Sequence, residues 1–449
     1  MDHLSLGKKI DEMQGEIIEG IRESVKICSI KGKAAEGAPY GEGPKAALIN
    51  ALEQAEKLGL KAKNIDNKIG YAEIGEGSEM VAILGHLDIV PLGEGWKHDP
   101  LGAEIHDGVI YGRGVSDDKG PTIGSLYALK AIKDLGIEYN KRIRVIFGTD
   151  EESGSTCVAH YISSGQEMPV AGFTPDADFP RINAEKGMVS FVFKKTLNNN
   201  ENYELLNLSG GTAKNVVMPS VEIKMNTKMP VSIQGKEYKE NFVCEVMGKS
   251  AHASTPEKGE NAFLKLMKDL ENADIKGDFK DFIDFVNKEI NMETNGKTLG
   301  ISCCDEPSGA LTMNLGVVSF ENNTISVIVD IRYPVTKTPD FIEENIKAKA
   351  KKYGVEVADV KRVNPLFVPK DSELIQKLSD VYKAYTGNEA TLLGIGGGTY
   401  AKSFPNMVAF GPAFPGEDHV IHQPNENISI ESLIKGIKIY ASAILELAK

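Results

Sequence analysis

Three short apolar runs constrain this chain more than anything else in it. Residues 80–84, 142–147 and 170–174 are strand-length, largely apolar segments, the second carrying Arg142 and Arg144. Each is followed within a few positions by residues that carry chemistry: His86 and Asp88, then Asp150-Glu151-Glu152, then Asp176 and Asp178. Successive acids at the end of a buried strand are costly unless a cation compensates them. Helical patterns separate the runs: a Pro-started, Gly-stopped segment at 44–59, a helix at 121–135 closed by Gly136, and another at 155–164. Residues 4–27 place Leu4, Leu6, Ile10, Met13, Ile17, Ile21 and Val25 at helical spacing. Strands alternating with helices imply an α/β layered domain, whose site lies at the carboxyl ends of its strands.

The texture changes after residue 186. Residues 188–195, 241–247, 313–320 and 324–332 read as longer, half-exposed strands, with helices at 260–272, 279–290 and 339–353. From 366 the α/β texture returns, with a helix at 371–386, a glycine cluster at 394–398, a strand at 407–411 and a terminal helix at 430–448. The expected architecture is α/β: a catalytic domain with a mixed sheet flanked by helices, formed by residues 1–186 and 366–449. An inserted α+β domain, residues 187–365, interrupts it. A chain of 449 residues has room for that at roughly 150 residues per domain.

Composition excludes several partners. The net charge of −13 argues against nucleic acid and anionic membranes. No stretch reaches the roughly 18 apolar residues that a membrane span needs. Residues 1–30 lack a basic patch followed by an apolar core, so no signal peptide is expected. The five cysteines are odd in number and form no CxxC, which suits reduced thiols in a cytoplasmic protein. Any metal must then be held by His, Asp and Glu.

The candidate donors fall in separate segments. Gly85-His86-Leu87-Asp88 also fits a turn holding a hydrogen-bonded histidine. Asp117-Asp118 precedes a helix and could simply complement its dipole, although Gly112, Gly114 and Gly120 suggest a tight backbone near a ligand. Asp150-Glu151-Glu152 is harder to explain without a cation. Asp176 and Asp178 follow a strand, and His419 and His422 stand near the C-terminus. Together the pattern His, Asp, Glu, Asp, His is the inventory of a two-metal hydrolytic centre, with a neighbouring carboxylate as general base. Oxygen and imidazole donors suit zinc, with cobalt or manganese as substitutes.

These residues carry a resemblance. Gly85-His86-Leu87-Asp88-Ile89-Val90-Pro91, Gly112-Arg113-Gly114 with Asp117-Asp118-Lys119-Gly120-Pro121, and Asp150-Glu151-Glu152-Ser153-Gly154 match, in order, the motifs of the zinc-dependent aminoacylase and carboxypeptidase superfamily of metallopeptidases. Over essentially the whole chain the sequence resembles its peptidase V-type, carnosinase-like dipeptidases. The resemblance implies two zinc ions per chain and hydrolysis of dipeptides by a metal-bridging water. It implies that His86 is a terminal ligand with Asp88 clamping its ring, and that Asp117 is the bridging carboxylate, followed by a cis peptide. Glu151 would be the general base and Glu152 a ligand. Asp176 and His422 would complete the second metal, with Asp178 and His419 as alternatives. The inserted domain would be a lid. There Gly248-Lys249-Ser250-Ala251-His252-Ala253-Ser254 places His252 to stabilise the oxyanion. Asn215 would contact substrate, and Arg332 with Gly397 and Gly398 would hold its free carboxylate. The long lid implies a monomer, with a dimer as the alternative. An N-acyl amino acid deacylase or desuccinylase would use the same centre and is the competing activity.

Overall fold

The computed structural model describes residues 2–180, 182–198, 202–417 and 420–449. The chain divides into two compact units. The first comprises residues 1–183, 368–393 and 398–449, and the second comprises 184–367 with 394–397.

In the first unit the strands run in the order Lys61–Ile65, Ile69–Ile74, Arg142–Gly148, Met80–His86, Ala171–Thr174, Met407–Ala409. Met80–His86 pairs in parallel with both Arg142–Gly148 and Ala171–Thr174, while Ile69–Ile74 joins antiparallel. Every residue of Met80–His86 is buried, as a central strand covered on both faces requires. The helices Lys119–Asp134 and Ile430–Ala448 pack against each other and on this sheet. Gly124 permits the close approach: a Cβ there would lie 2.5 Å from Ile437. The helix expected over 4–27 is instead two, Asp2–Glu12 and Gln14–Val25, interrupted at Met13. Its apolar spacing survives the break, because Leu6, Ile10, Met13, Ile17, Ile21 and Val25 are all buried.

The second unit is built on a seven-stranded antiparallel sheet. Its order is Lys236–Met247, Ser220–Ile233, Tyr203–Gly210, Thr312–Glu321, Thr324–Tyr333, Gly187–Thr196, Glu356–Val363. One face is apolar: Ile325, Val327, Val329 and Ile331 alternate inward along one strand, and Phe242, Cys244 and Val246 along another. The helices Ala262–Asp269, Asp278–Phe285 and Pro339–Lys351 supply Phe263, Met267, Phe282 and Ile346 to the same core. This period-two burial under a helical layer is α+β construction. No helix among the described residues is long and apolar enough to cross a membrane.

Candidate metal centre

The parallel strands of the first unit end side by side, and their carboxyl ends carry the acids. His86 is in register with Gly148, and the Leu87 amide donates to the Gly148 carbonyl at 2.9 Å. Asp88 is buried, and its carboxylate accepts from the amides of Glu151 (3.0 Å) and Glu152 (3.1 Å). The turn carrying both glutamates is therefore fixed from the neighbouring strand. The clamp on the His86 ring comes from the Asp88 carbonyl, 3.0 Å from Nδ1, while the Asp88 carboxylate stands off at 3.6 Å. A carbonyl can only accept, so Nδ1 carries the proton and Nε2 is the working nitrogen.

Asp117 lies between two imidazoles. His86 Nε2 is 3.0 Å from its Oδ1, and His422 Nε2 is 2.9 Å from its Oδ2. Glu152 Oε1 is 3.0 Å from the same His422 nitrogen. Asp176 approaches His86 at 3.8 Å. Two groups of donor atoms each lie within 4.8 Å of one another, His86 with Asp117 and Glu152, and His86 with Glu151 and Asp176. The first unit thus gathers His86, Asp117, Glu151, Glu152, Asp176 and His422. Asp176 falls on the His86 side of Asp117, which revises its grouping with His422. Asp178 belongs to neither donor group, and His419 lies outside the described residues.

The electrostatics mark surplus negative charge. Burial and the neighbouring Asp117 push the Asp176 carboxyl up to about 7. Burial and Asp176 raise Glu151 well above the carboxylate range. Burial would raise Asp117 too, but hydrogen bonds from His422 and His86 outweigh it and hold that carboxyl below its usual value. Asp117 and Glu152 push the His422 imidazole up to about 10. Buried acids that repel one another, with two imidazoles converging on the acid between them, fit a pair of divalent cations, and the all-oxygen-and-imidazole set fits zinc.

Supports for Asp117 come from far along the chain. The Asp117–Asp118 peptide is cis. The Asp118 carboxylate accepts from the His86 amide (3.1 Å) and Thr122 Oγ1 (2.7 Å). Only glycine fits at position 85, where a Cβ would meet Thr122 at 1.9 Å and Asp118 at 2.7 Å. Glu426, buried, receives Arg113 Nη1 at 2.7 Å on one oxygen. On the other it receives the amides of Gly114, Ser116 and Asp117 at 3.0, 3.1 and 3.2 Å. Sequence reasoning gave Glu426 no role: it sits 313 residues from Arg113, and no local pattern joins them.

A cavity of about 250 Å³ borders Asp117 and Asp176, with Ser116, Pro412 and Ile421 in its wall. A larger one, about 1010 Å³, runs beside Lys8, Asp11, Tyr385 and Lys438, away from the gathered donors. The smaller cavity is the one that matters here, since it abuts the chemistry.

The remaining candidates belong to the second unit, except Gly398. Asn215 and His252 are neighbours there: the Ala253 amide donates to the Asn215 carbonyl at 2.9 Å, and Val216 bridges His252. The Ser254 amide donates to His252 Nδ1 at 3.2 Å, which leaves the ring proton on Nε2. Arg332 is buried, with Nε 2.8 Å from Asp330 and Nη1 2.6 Å from the Gly396 carbonyl. Gly397 adjoins that anchored glycine.

The model of peptidase family M20/M25/M40 matches residues 82–446, and the chain belongs to that family. It is a hydrolase acting on peptides, in a metal-dependent family. A Bacillus subtilis (strain 168) protein named "Putative dipeptidase YtjP" is 38% identical over 455 residues, 97% of each chain. A Staphylococcus haemolyticus (strain JCSC1435) protein named "Putative dipeptidase SH1171" is 32% identical over 463 residues, 98% of each. Human carnosine dipeptidase 1 shares the fold, with a TM-score of 0.63 at 15% identity, over 100% of this chain and 99% of that one.

Proposed function

We propose that the chain is a dinuclear zinc dipeptidase, acting as a monomer in the cytoplasm. The observation that carries this reading is Asp117 set between His86 and His422 at 3.0 and 2.9 Å. In this reading His86 and Asp176 would hold one ion, Glu152 and His422 would hold the other, and Asp117 would be shared. Cobalt or manganese would serve as substitutes. Bound there, the two ions would polarise the scissile carbonyl and acidify the attacking water.

The chain's own groups do the rest. Glu151, its amide fixed by Asp88, takes the proton from the attacking water and returns it to the leaving amine. His252 Nε2 donates to the oxyanion as it develops. Asn215 contacts the substrate. Arg332, set by Asp330, takes the free carboxylate with the amides of Gly397 and Gly398. The free cysteines suit a reducing compartment.

The test is Glu151→Gln. It should keep its zinc and lose about 10²–10⁴-fold in kcat, whereas full turnover with zinc bound would remove Glu151 as the base. A panel of dipeptides, tripeptides and N-acyl amino acids, with a chelator control, tests the substrate. Cleavage confined to the acyl amino acids would return the deacylase reading.

A further inference from the structure

A second convergence of donor atoms lies away from the buried centre, on the small antiparallel sheet of Glu104–His106, Val109–Tyr111 and Asn427–Ser429. Glu104 and His106 stand two residues apart in one strand, so both side chains leave the same face. His98 reaches that face from the preceding loop. Glu104 Oε2 is 3.2 Å from His98 Nδ1 and 2.7 Å from His106 Nε2. The three donor atoms lie within 4.8 Å of one another.

The rings are held in place. The two imidazoles stack with centroids 4.4 Å apart and planes 29° apart. Tyr111, the cross-strand partner of Glu104, backs His98 at 4.3 Å. A carboxylate that simply accepts from two surface histidines would also give short contacts. That reading needs both inward nitrogens to carry protons aimed at one oxygen, from rings stacked face to face. A single cation replaces both protons. Ligand bonds of about 2.0–2.2 Å put tetrahedral donors roughly 3.3–3.6 Å apart, so the His98 contact of 3.2 Å is nearly at that spacing and the His106 contact of 2.7 Å has to open by under an ångström.

We propose that His98, Glu104 and His106 form a third site for a divalent transition ion of the zinc class, separate from the buried centre. Two imidazoles and one carboxylate suit zinc, copper(II) or nickel, whereas calcium and magnesium call for oxygen ligands. Three protein ligands leave the remaining position to water. The side chains are 26%, 49% and 41% exposed for His98, His106 and Glu104, so the ion exchanges with solvent more readily than one at buried Asp117. Occupancy ties the loop at 97–100 to the strand pair. The Pro100 carbonyl in that loop accepts from the Arg113 amide at 2.7 Å, so the tie reaches the backbone of the Arg113–Glu426 pair.

The test is equilibrium dialysis of the whole protein against buffered free zinc, from nanomolar to micromolar. Wild type is compared with the His98→Gln/His106→Gln double variant. Wild type should take up one more equivalent per chain than the variant, a difference that does not depend on what the buried centre binds. Superimposable isotherms overturn the site. Because the rings also pack on Tyr111, Glu104→Gln is the second arm, keeping both imidazoles. It should lose or markedly weaken the same equivalent while melting like wild type in chelator. Uptake identical to wild type in that variant overturns the proposal as well.

Discussion

The two sides of Asp117 are built differently. His86 ends a fully buried central strand, its side chain is 1% exposed, and both its ring and its amide are held by Asp88 and Asp118. His422 sits in a loop with φ +61°, its side chain 51% exposed, and its ring is held by the two acids it meets. One imidazole is part of the core, and the other is delivered to it by the C-terminal loop. Disturbing the first should cost structure and metal together; disturbing the second should cost metal and less structure.

The largest effect is expected at the support common to both sides. Glu426→Ala leaves Arg113 buried without its partner and frees the amides that hold Asp117. Breaking a buried pair in this way costs about 3–5 kcal/mol. Denaturant unfolding should show that loss, and zinc analysis a weakened centre. His86→Ala comes next, leaving Asp117 and the Asp88 carbonyl without a buried partner, at about 1–3 kcal/mol. Calorimetry should show a lower Tm and metal analysis a lost ion. A Tm equal to wild type would erase the distinction between the two sides. His422→Ala should lose one zinc equivalent and lower the chelator-treated Tm less than His86→Ala does, because its ring is half exposed.

The smallest effect is a pH dependence confined to the metal-stripped protein. Asp117 and Glu152 raise the His422 pKa from 6.5 to about 10. Its ion pairs therefore stabilise fully below pH 6.5, and the contribution is lost as pH rises through about 10. Over that window the Tm of wild type should fall more than that of His422→Ala. Parallel curves would mean that the loop does not hold His422 against the acids.

What could be read from the sequence follows the same division between core and periphery. The strands at 80–84, 142–147 and 170–174 announce themselves by apolar runs, and the donors after them occupy the strand ends where such sheets place their sites. Lys61–Ile65 and Glu356–Val363 went unread because they are sheet-edge strands with mostly exposed side chains and no clean alternation. The helical periodicity over 4–27 could not reveal the break at Met13, since both halves bury the same stripe. Glu426 and the triad of His98, Glu104 and His106 were invisible for another reason. Their meaning lies in contacts that a turn, a hairpin or hundreds of intervening residues create. The partition of donors around Asp117 is of the same kind: the order His86, Asp117, Glu152, Asp176, His422 along the chain does not say which pairs face each other.

The central claim is that one aspartate is shared between two ions. Anomalous diffraction at the zinc edge from zinc-loaded crystals tests it directly. Two peaks are expected, one on each side of the Asp117 carboxylate, the first in contact with His86 and Asp176 and the second with Glu152 and His422. A single peak there, or zinc found only away from Asp117, would contradict it.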